Sequence, residues 1–171
     1  MITLILGENG SGKSAYAESV ACFTNDPRYY IATMVPYGAE GAERIEKHKR
    51  QREGMGFHTL ELPYFVGDAP VSPDATVLLE DGSNLLANQI FVRGGSVDAV
   101  LSDIFALESR CRRLIVVSII GLDLARYDGD TRAYIELLDR LNTALFERAA
   151  CVVELIDGSA MPRKGELPCA Y

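Results

Sequence analysis

The stretch Ile2-Thr3-Leu4-Ile5-Leu6-Gly7-Glu8-Asn9-Gly10-Ser11-Gly12-Lys13-Ser14-Ala15-Tyr16-Ala17-Glu18-Ser19-Val20 decides the fold. Residues 2–6 form a short apolar strand. Residues 7–14 satisfy the phosphate-loop pattern G-x-x-x-x-G-K-[ST]. Residues 15–20 have helical character. Strand, glycine loop and helix in this order form the setting in which the pattern has a physical meaning. The glycines let backbone N–H groups converge on a polyphosphate, and the helix N-terminus adds partial positive charge. In such a loop the whole run Gly7, Glu8, Asn9, Gly10, Ser11, Gly12, Lys13 and Ser14 faces the nucleotide. Lys13 reaches the β- and γ-phosphates, and the Ser14 hydroxyl ligates Mg²⁺.

Composition narrows the class. The chain has 171 residues, enough for one domain with a real core, which we place at 1–171. Hydrophobic residues make up 48% and charged residues 24%, a globular balance. The formal net charge of −7 argues against a nucleic-acid partner, which needs a broad basic face. Cys22, Cys111, Cys151 and Cys169 show no C-x-x-C spacing and read as reduced thiols of a cytoplasmic protein. His48 and His58 are the two histidines, so a histidine-rich metal site is excluded. No apolar run approaches the ~18 residues of a membrane span. The sequence enters its first strand at once, which leaves no room for a signal peptide.

Apolar runs alternate with helical patterns along the chain. Further strands are expected at 29–32, 57–62, 76–80, 114–118 and 151–156. Helices are expected at 39–53, 84–92, 97–112 and 131–149, and a Pro/Gly-rich loop at 63–74. This alternation, with continuously apolar strands, predicts an α/β fold: a mostly parallel sheet with helices on both faces, of the P-loop NTPase type. Ligands of such sheets bind at the carboxyl ends of the strands.

One strand end carries acids. Glu80 and Asp81 follow Val77-Leu78-Leu79, the arrangement that delivers a carboxylate to the Mg²⁺ edge of a phosphate site. The metal candidates are therefore Ser14, Glu80 and Asp81. The period of the strand does not say which acid turns inward.

A second informative stretch is Glu43-Arg44-Ile45-Glu46-Lys47-His48-Lys49-Arg50-Gln51-Arg52. Helical spacing puts Arg44, His48 and Arg52 in one column. Cations beside His48 keep its ring neutral and nucleophilic, and the same arginines suit a phosphate. A solvated, charged helix face fits the periodicity as well. His58, in a short strand, reads as structural or exposed.

These motifs together resemble the bifunctional adenosylcobinamide kinase/adenosylcobinamide-phosphate guanylyltransferase family of cobalamin biosynthesis. The match is collinear. It runs through Ser11-Gly12-Lys13-Ser14, Ala17-Glu18, Tyr30-Ile31-Ala32-Thr33 and Arg44-Ile45-x-x-His48, then Arg52 and Phe57-x-Thr59-x-Glu61. It continues through Leu78-Leu79-Glu80 and Asn88 to Leu141-Asn142-x-x-Leu145 and the stretch from Val152-Val153 to Gly158. The resemblance implies a RecA-like fold and two reactions. One is phosphorylation of adenosylcobinamide by ATP or GTP. The other is transfer of GMP from GTP through a guanylylated His48, with Lys13 the other catalytic residue. It also implies that Arg44, Arg52, Glu61 and Glu80 serve the nucleotide, that Mg²⁺ takes part, and that the protein is a homo-oligomer, typically a trimer.

The chain departs from the family pattern in places. Glu8-Asn9-Gly10 fills the loop interior where an arginine is usual. Ser118-Ile119-Ile120-Gly121 replaces a Thr-Asn-Glu-Val-Gly segment, and residues 122–131 differ. Two other readings accompany the leading one: another P-loop small-molecule kinase or NTPase, and a nucleotide-binding regulator without turnover.

Overall fold

The computed structural model describes residues 1–35, 46, 49–50 and 52–168. Arg44 and His48 lie outside the described residues, as does Cys169. The chain runs β1 (Ile2–Gly7), α1 (Lys13–Cys22), β2 (Arg28–Ala32), β3 (Phe57–Glu61), β4 (Thr76–Glu80), α2 (Gly82–Ala87), α3 (Val97–Arg110), β5 (Arg113–Ile119), α4 (Gly129–Arg148), β6 (Cys151–Ile156) and β7 (Ser159–Lys164). The strands form one seven-stranded sheet in the order β3-β2-β4-β5-β1-β6-β7. All neighbours are parallel except the β6–β7 pair. The expected mostly parallel α/β sheet is thus what the chain builds.

The continuous apolar runs are explained by burial on both faces. In β1, Ile2, Leu4 and Leu6 point into one core layer, with Ile104 and Leu107 of α3 and Leu138, Leu141 and Leu145 of α4. Ile5 points the other way, into a layer with Ala17, Val20 and Ala21 of α1. β5 repeats the division: Leu114 and Val116 join the first layer, Ile115 and Val117 the second. Alternation between two buried faces leaves no polar stripe on the central strands.

Several boundaries differ from expectation. The helix expected at 84–92 starts earlier because the Asp81 carboxylate caps it, accepting from the Asn84 N–H at 2.6 Å. It then widens into a π-turn over Asn88–Val92. In the expected helix at 39–53, Glu46, Lys49 and Arg50 are helical, but the chain is already turning at Arg52, whose N–H bonds the Lys49 carbonyl at 3.2 Å. The antiparallel strand β7 was not expected. Its signal was present in Asp157-Gly158, a two-residue hairpin turn in which both residues take positive φ, 48° and 78°. Pro162 sits in β7, on the sheet edge where a missing N–H is tolerated. Among the described residues, no helix is long and apolar enough to cross a membrane.

Candidate active site

The phosphate loop leaves β1 at Gly7, where a side chain would collide with the Ser11 hydroxyl and come within 3.0 Å of the Leu155 carbonyl. The loop closes through a 3.2 Å bond from the Ser11 N–H to the Glu8 carbonyl. It enters α1 through Gly12 at φ 89°, a left-handed conformation that favours glycine. No side chain caps α1. Its first N–H groups are therefore left for an anion. A further tie, from the Gly158 N–H to the Ser11 carbonyl at 3.2 Å, anchors the loop to the β6–β7 turn.

Lys13 is buried, with Nζ donating to the Glu8 carbonyl at 3.1 Å, so its ammonium lies folded against the loop. Glu8, Asn9 and Gly10 form the exposed crest of the loop. Ser14 follows, and its hydroxyl donates to Glu80 Oε1 at 2.5 Å. The structure thereby separates the two acids. Glu80 turns inward to the phosphate loop. The Asp81 carboxylate is taken up at the start of α2, accepting also from the Ser83 hydroxyl at 2.5 Å and the Asn84 amide at 3.2 Å.

Burial raises the Glu80 carboxyl well above the ordinary range, and the adjacent Asp81 charge adds to this. The Ser14 hydrogen bond and Lys13 oppose the shift. Oε2 of Glu80 is buried with no hydrogen-bond partner. The Ser14 hydroxyl and the Glu80 carboxylate, one oxygen of which has no partner, suit a hard cation such as Mg²⁺, which takes few protein oxygens and keeps several waters. These residues fit the ion. Among the described residues, no cluster of three or more His, Cys, Asp or Glu offers an all-protein metal cage.

Two residues quoted from the sequence without a role prove to hold this corner. Thr33, just after β2, is fully buried. Its N–H donates to the Glu80 carbonyl at 3.0 Å, and its hydroxyl accepts from the Asp81 N–H at 2.8 Å. The Asn88 amide donates to the Thr33 carbonyl at 2.8 Å and to the Pro63 carbonyl at 3.1 Å. The Glu80–Asp81 peptide bond within this corner is cis. The only signal for these roles was a polar residue directly after a strand and an amide one helix later.

Other predicted residues lie further out. Arg52 is buried, with its guanidinium 3.5 Å from the centre of the Tyr30 ring. The column expected with Arg44 and His48 lies outside the described residues. Glu61 is exposed at the end of β3 and pairs with Lys49 at 3.1 Å. His58 is exposed, as expected, and packs its ring 5.6 Å from that of Tyr29. After β5, the Asn142 amide holds the Ile119 carbonyl at 2.9 Å. Asp123 caps the short turn that follows, accepting from the Ala125 N–H at 3.0 Å.

The fold and this site define a P-loop nucleotide-binding protein of the α/β class. The sequence profile described as "Cobinamide kinase / cobinamide phosphate guanyltransferase" matches residues 3–162, and the chain belongs to that family. It is 27% identical to the bifunctional adenosylcobalamin biosynthesis protein CobU of Escherichia coli K12, over 92% of this chain and 97% of that one. It is 30% identical to the bifunctional adenosylcobalamin biosynthesis protein CobP of Pseudomonas aeruginosa PAO1, over 97% and 99%. The CobU protein of Salmonella typhimurium LT2 is similar at 28%, over 92% and 97%.

Proposed function

We propose that this protein phosphorylates adenosylcobinamide with ATP or GTP and then transfers GMP from GTP to the phosphorylated product. The observation that carries the reading is the Ser14–Glu80 contact beside the buried Lys13, in a chain of this family. In the first reaction the aminopropanol hydroxyl oxygen attacks the γ-phosphorus. The bond to the β–γ bridging oxygen breaks, the hydroxyl proton is lost to water, and the nucleoside diphosphate leaves. The uncapped start of α1 and Lys13 hold the phosphates in place. Ser14 and Glu80 would hold Mg²⁺, which when bound neutralises charge on the phosphate oxygens.

In the second reaction a ring nitrogen of His48 attacks the α-phosphorus of GTP. The α–β bridging bond breaks and pyrophosphate leaves. A phosphate oxygen of adenosylcobinamide phosphate then displaces His48 to give adenosylcobinamide-GDP. Arg44 and Arg52 are the arginines we assign to the nucleotide in this step, and Glu61 and Glu80 its acids. We further propose that the protein works as a homo-oligomer, by resemblance a trimer, in the cytoplasm.

The test is incubation with GTP labelled at the α-phosphate. An acid-labile, alkali-stable protein adduct is expected, and it should vanish in His48→Ala. Absence of label, or equal labelling of the variant, defeats the covalent route.

A further inference from the structure

An exposed aromatic surface adjoins the corner that holds Glu80. The π-turn over Asn88–Val92 buries Asn88 but leaves Phe91 and Val92 each 56% exposed. The Phe91 ring lies 5.6 Å from that of Tyr134 on α4. The next residue, Arg93, sets its guanidinium 4.3 Å from the centre of the Phe65 ring and 5.4 Å from that of Tyr64. Phe65 is itself 52% exposed. Residues from three separate segments thus make one continuous surface.

Folding alone does not account for it. Large apolar side chains held together in water mark a binding surface. Phe65 also takes φ 55°, a left-handed conformation that strains a bulky residue. Strained residues and π-turns both gather at ligand sites. The place of the surface narrows the ligand. The Tyr134 hydroxyl donates to the Ser83 carbonyl at 2.8 Å, and the Ser83 hydroxyl donates to the Asp81 carboxylate, next to Glu80. Asn88, the first residue of the π-turn, holds the Thr33 carbonyl, and the Thr33 N–H holds the Glu80 carbonyl. The aromatic surface is therefore tied from two sides to the acid beside the phosphate loop.

The phosphate loop and Glu80 serve the nucleotide and leave the acceptor without a seat. The acceptor proposed above offers its hydroxyl on a short arm of a much larger macrocycle, a methyl-bearing ring with neutral amide side chains. Such a ring needs apolar surface for its face and donors for its amide oxygens. Phe91, Val92, Tyr134 and Phe65 supply the first, and the Arg93 guanidinium supplies the second. We propose that this aromatic surface seats the macrocycle of the corrinoid acceptor and directs its hydroxyl arm to the Glu80 corner. The inference rests on the function proposed above and adds the residues that select the acceptor.

Absorbance titration of the full chain with adenosylcobinamide tests this, with Mg²⁺ and a non-hydrolysable ATP analogue present. Saturable binding to the parent is expected. Phe91→Ala and Arg93→Ala should each weaken corrinoid binding about tenfold, the loss of one ring or donor contact. Affinity for the ATP analogue, titrated separately, should stay at the parent value in both. Phe23→Ala removes an exposed ring at the far end of α1 and should change neither affinity. Phe91 and Arg93 are exposed, so neither variant opens a cavity in the core. Corrinoid affinity unchanged in both variants overturns the proposal and leaves the proposed reactions standing. A parent that binds the analogue but no corrinoid overturns both. Sedimentation velocity is run on the same samples and should show one species size throughout. A smaller species in Phe91→Ala assigns the surface to an interface between copies of the chain and overturns the proposal.

Discussion

The Ser14 hydroxyl donates a 2.5 Å hydrogen bond to Oε1 of Glu80, joining the start of α1 to the end of β4 across 66 positions of sequence. The contact unites the two halves of the phosphate site. It also leaves the other oxygen of a buried carboxylate without a partner. A group so placed costs stability and persists where a cation or a reaction needs it.

Glu80→Gln separates those two roles. The variant should fold at least as stably as the parent, because a buried ionisable acid has been replaced by a neutral isostere. Its Mg²⁺-dependent phosphorylation of adenosylcobinamide should fall on the order of 10²-fold or more, typical for loss of one electrostatic group at a reacting phosphate. Thermal melts together with initial rates across a Mg²⁺ series check both halves.

The same residue sets a pH trend. Burial and Asp81 lift the folded-state carboxyl from the ordinary 4.5 toward about 8, so over that window the folded state keeps a proton that the unfolded chain has lost. Stability should therefore be greatest below the window and fall as pH rises through it. Urea midpoints of the nucleotide-free protein should decline across this range, and the decline should be shallower in Glu80→Gln.

Asn88→Leu tests the corner that aims Glu80. It deletes two hydrogen bonds and leaves the Thr33 and Pro63 carbonyls unmet, at a cost of about 1–3 kcal/mol. That corresponds to a drop in Tm of roughly 2–4 °C per kcal/mol for a chain of this size. A Tm within a degree of the parent would show that water replaces the amide.

Gly158→Ala acts on the phosphate loop from behind. Gly158 has φ 78° and its N–H holds the Ser11 carbonyl. The left-handed conformation costs a residue with a side chain about 1–2 kcal/mol. Both stability and ATP affinity should fall. Chemical denaturation and nucleotide titration read the two effects, and lowered stability with unchanged ATP affinity would remove the link between hairpin and loop.

Burial pushes the Cys111 thiol up to about 11, and the side chain is 8% exposed. Iodoacetamide at about pH 8 should leave Cys111 unmodified in the native protein and alkylate it in denaturant. Peptide mass mapping of the four cysteines checks this.

Much of the architecture was legible because its cause is local. The run from Ile2 to Val20 carries its own strand, loop and helix, and β4 and β6 begin and end where their apolar runs do. The hairpin to β7 was marked by Asp157-Gly158, a turn signal overlooked because Ser159–Lys164 is too polar and proline-broken to read as a strand. Periodicity could not show the surroundings of Arg52, whose guanidinium packs on the aromatic face of Tyr30, a residue of a different element.

The sequence by itself determined the phosphate loop, the alternation of elements and hence the parallel sheet, since these follow from residue types at short spacing. Only the tertiary structure decided between Glu80 and Asp81. Strand period places both at the same sheet end. The choice rests on which carboxylate α2 needs for its cap, and on Thr33 and Asn88 closing the corner from elements distant in sequence.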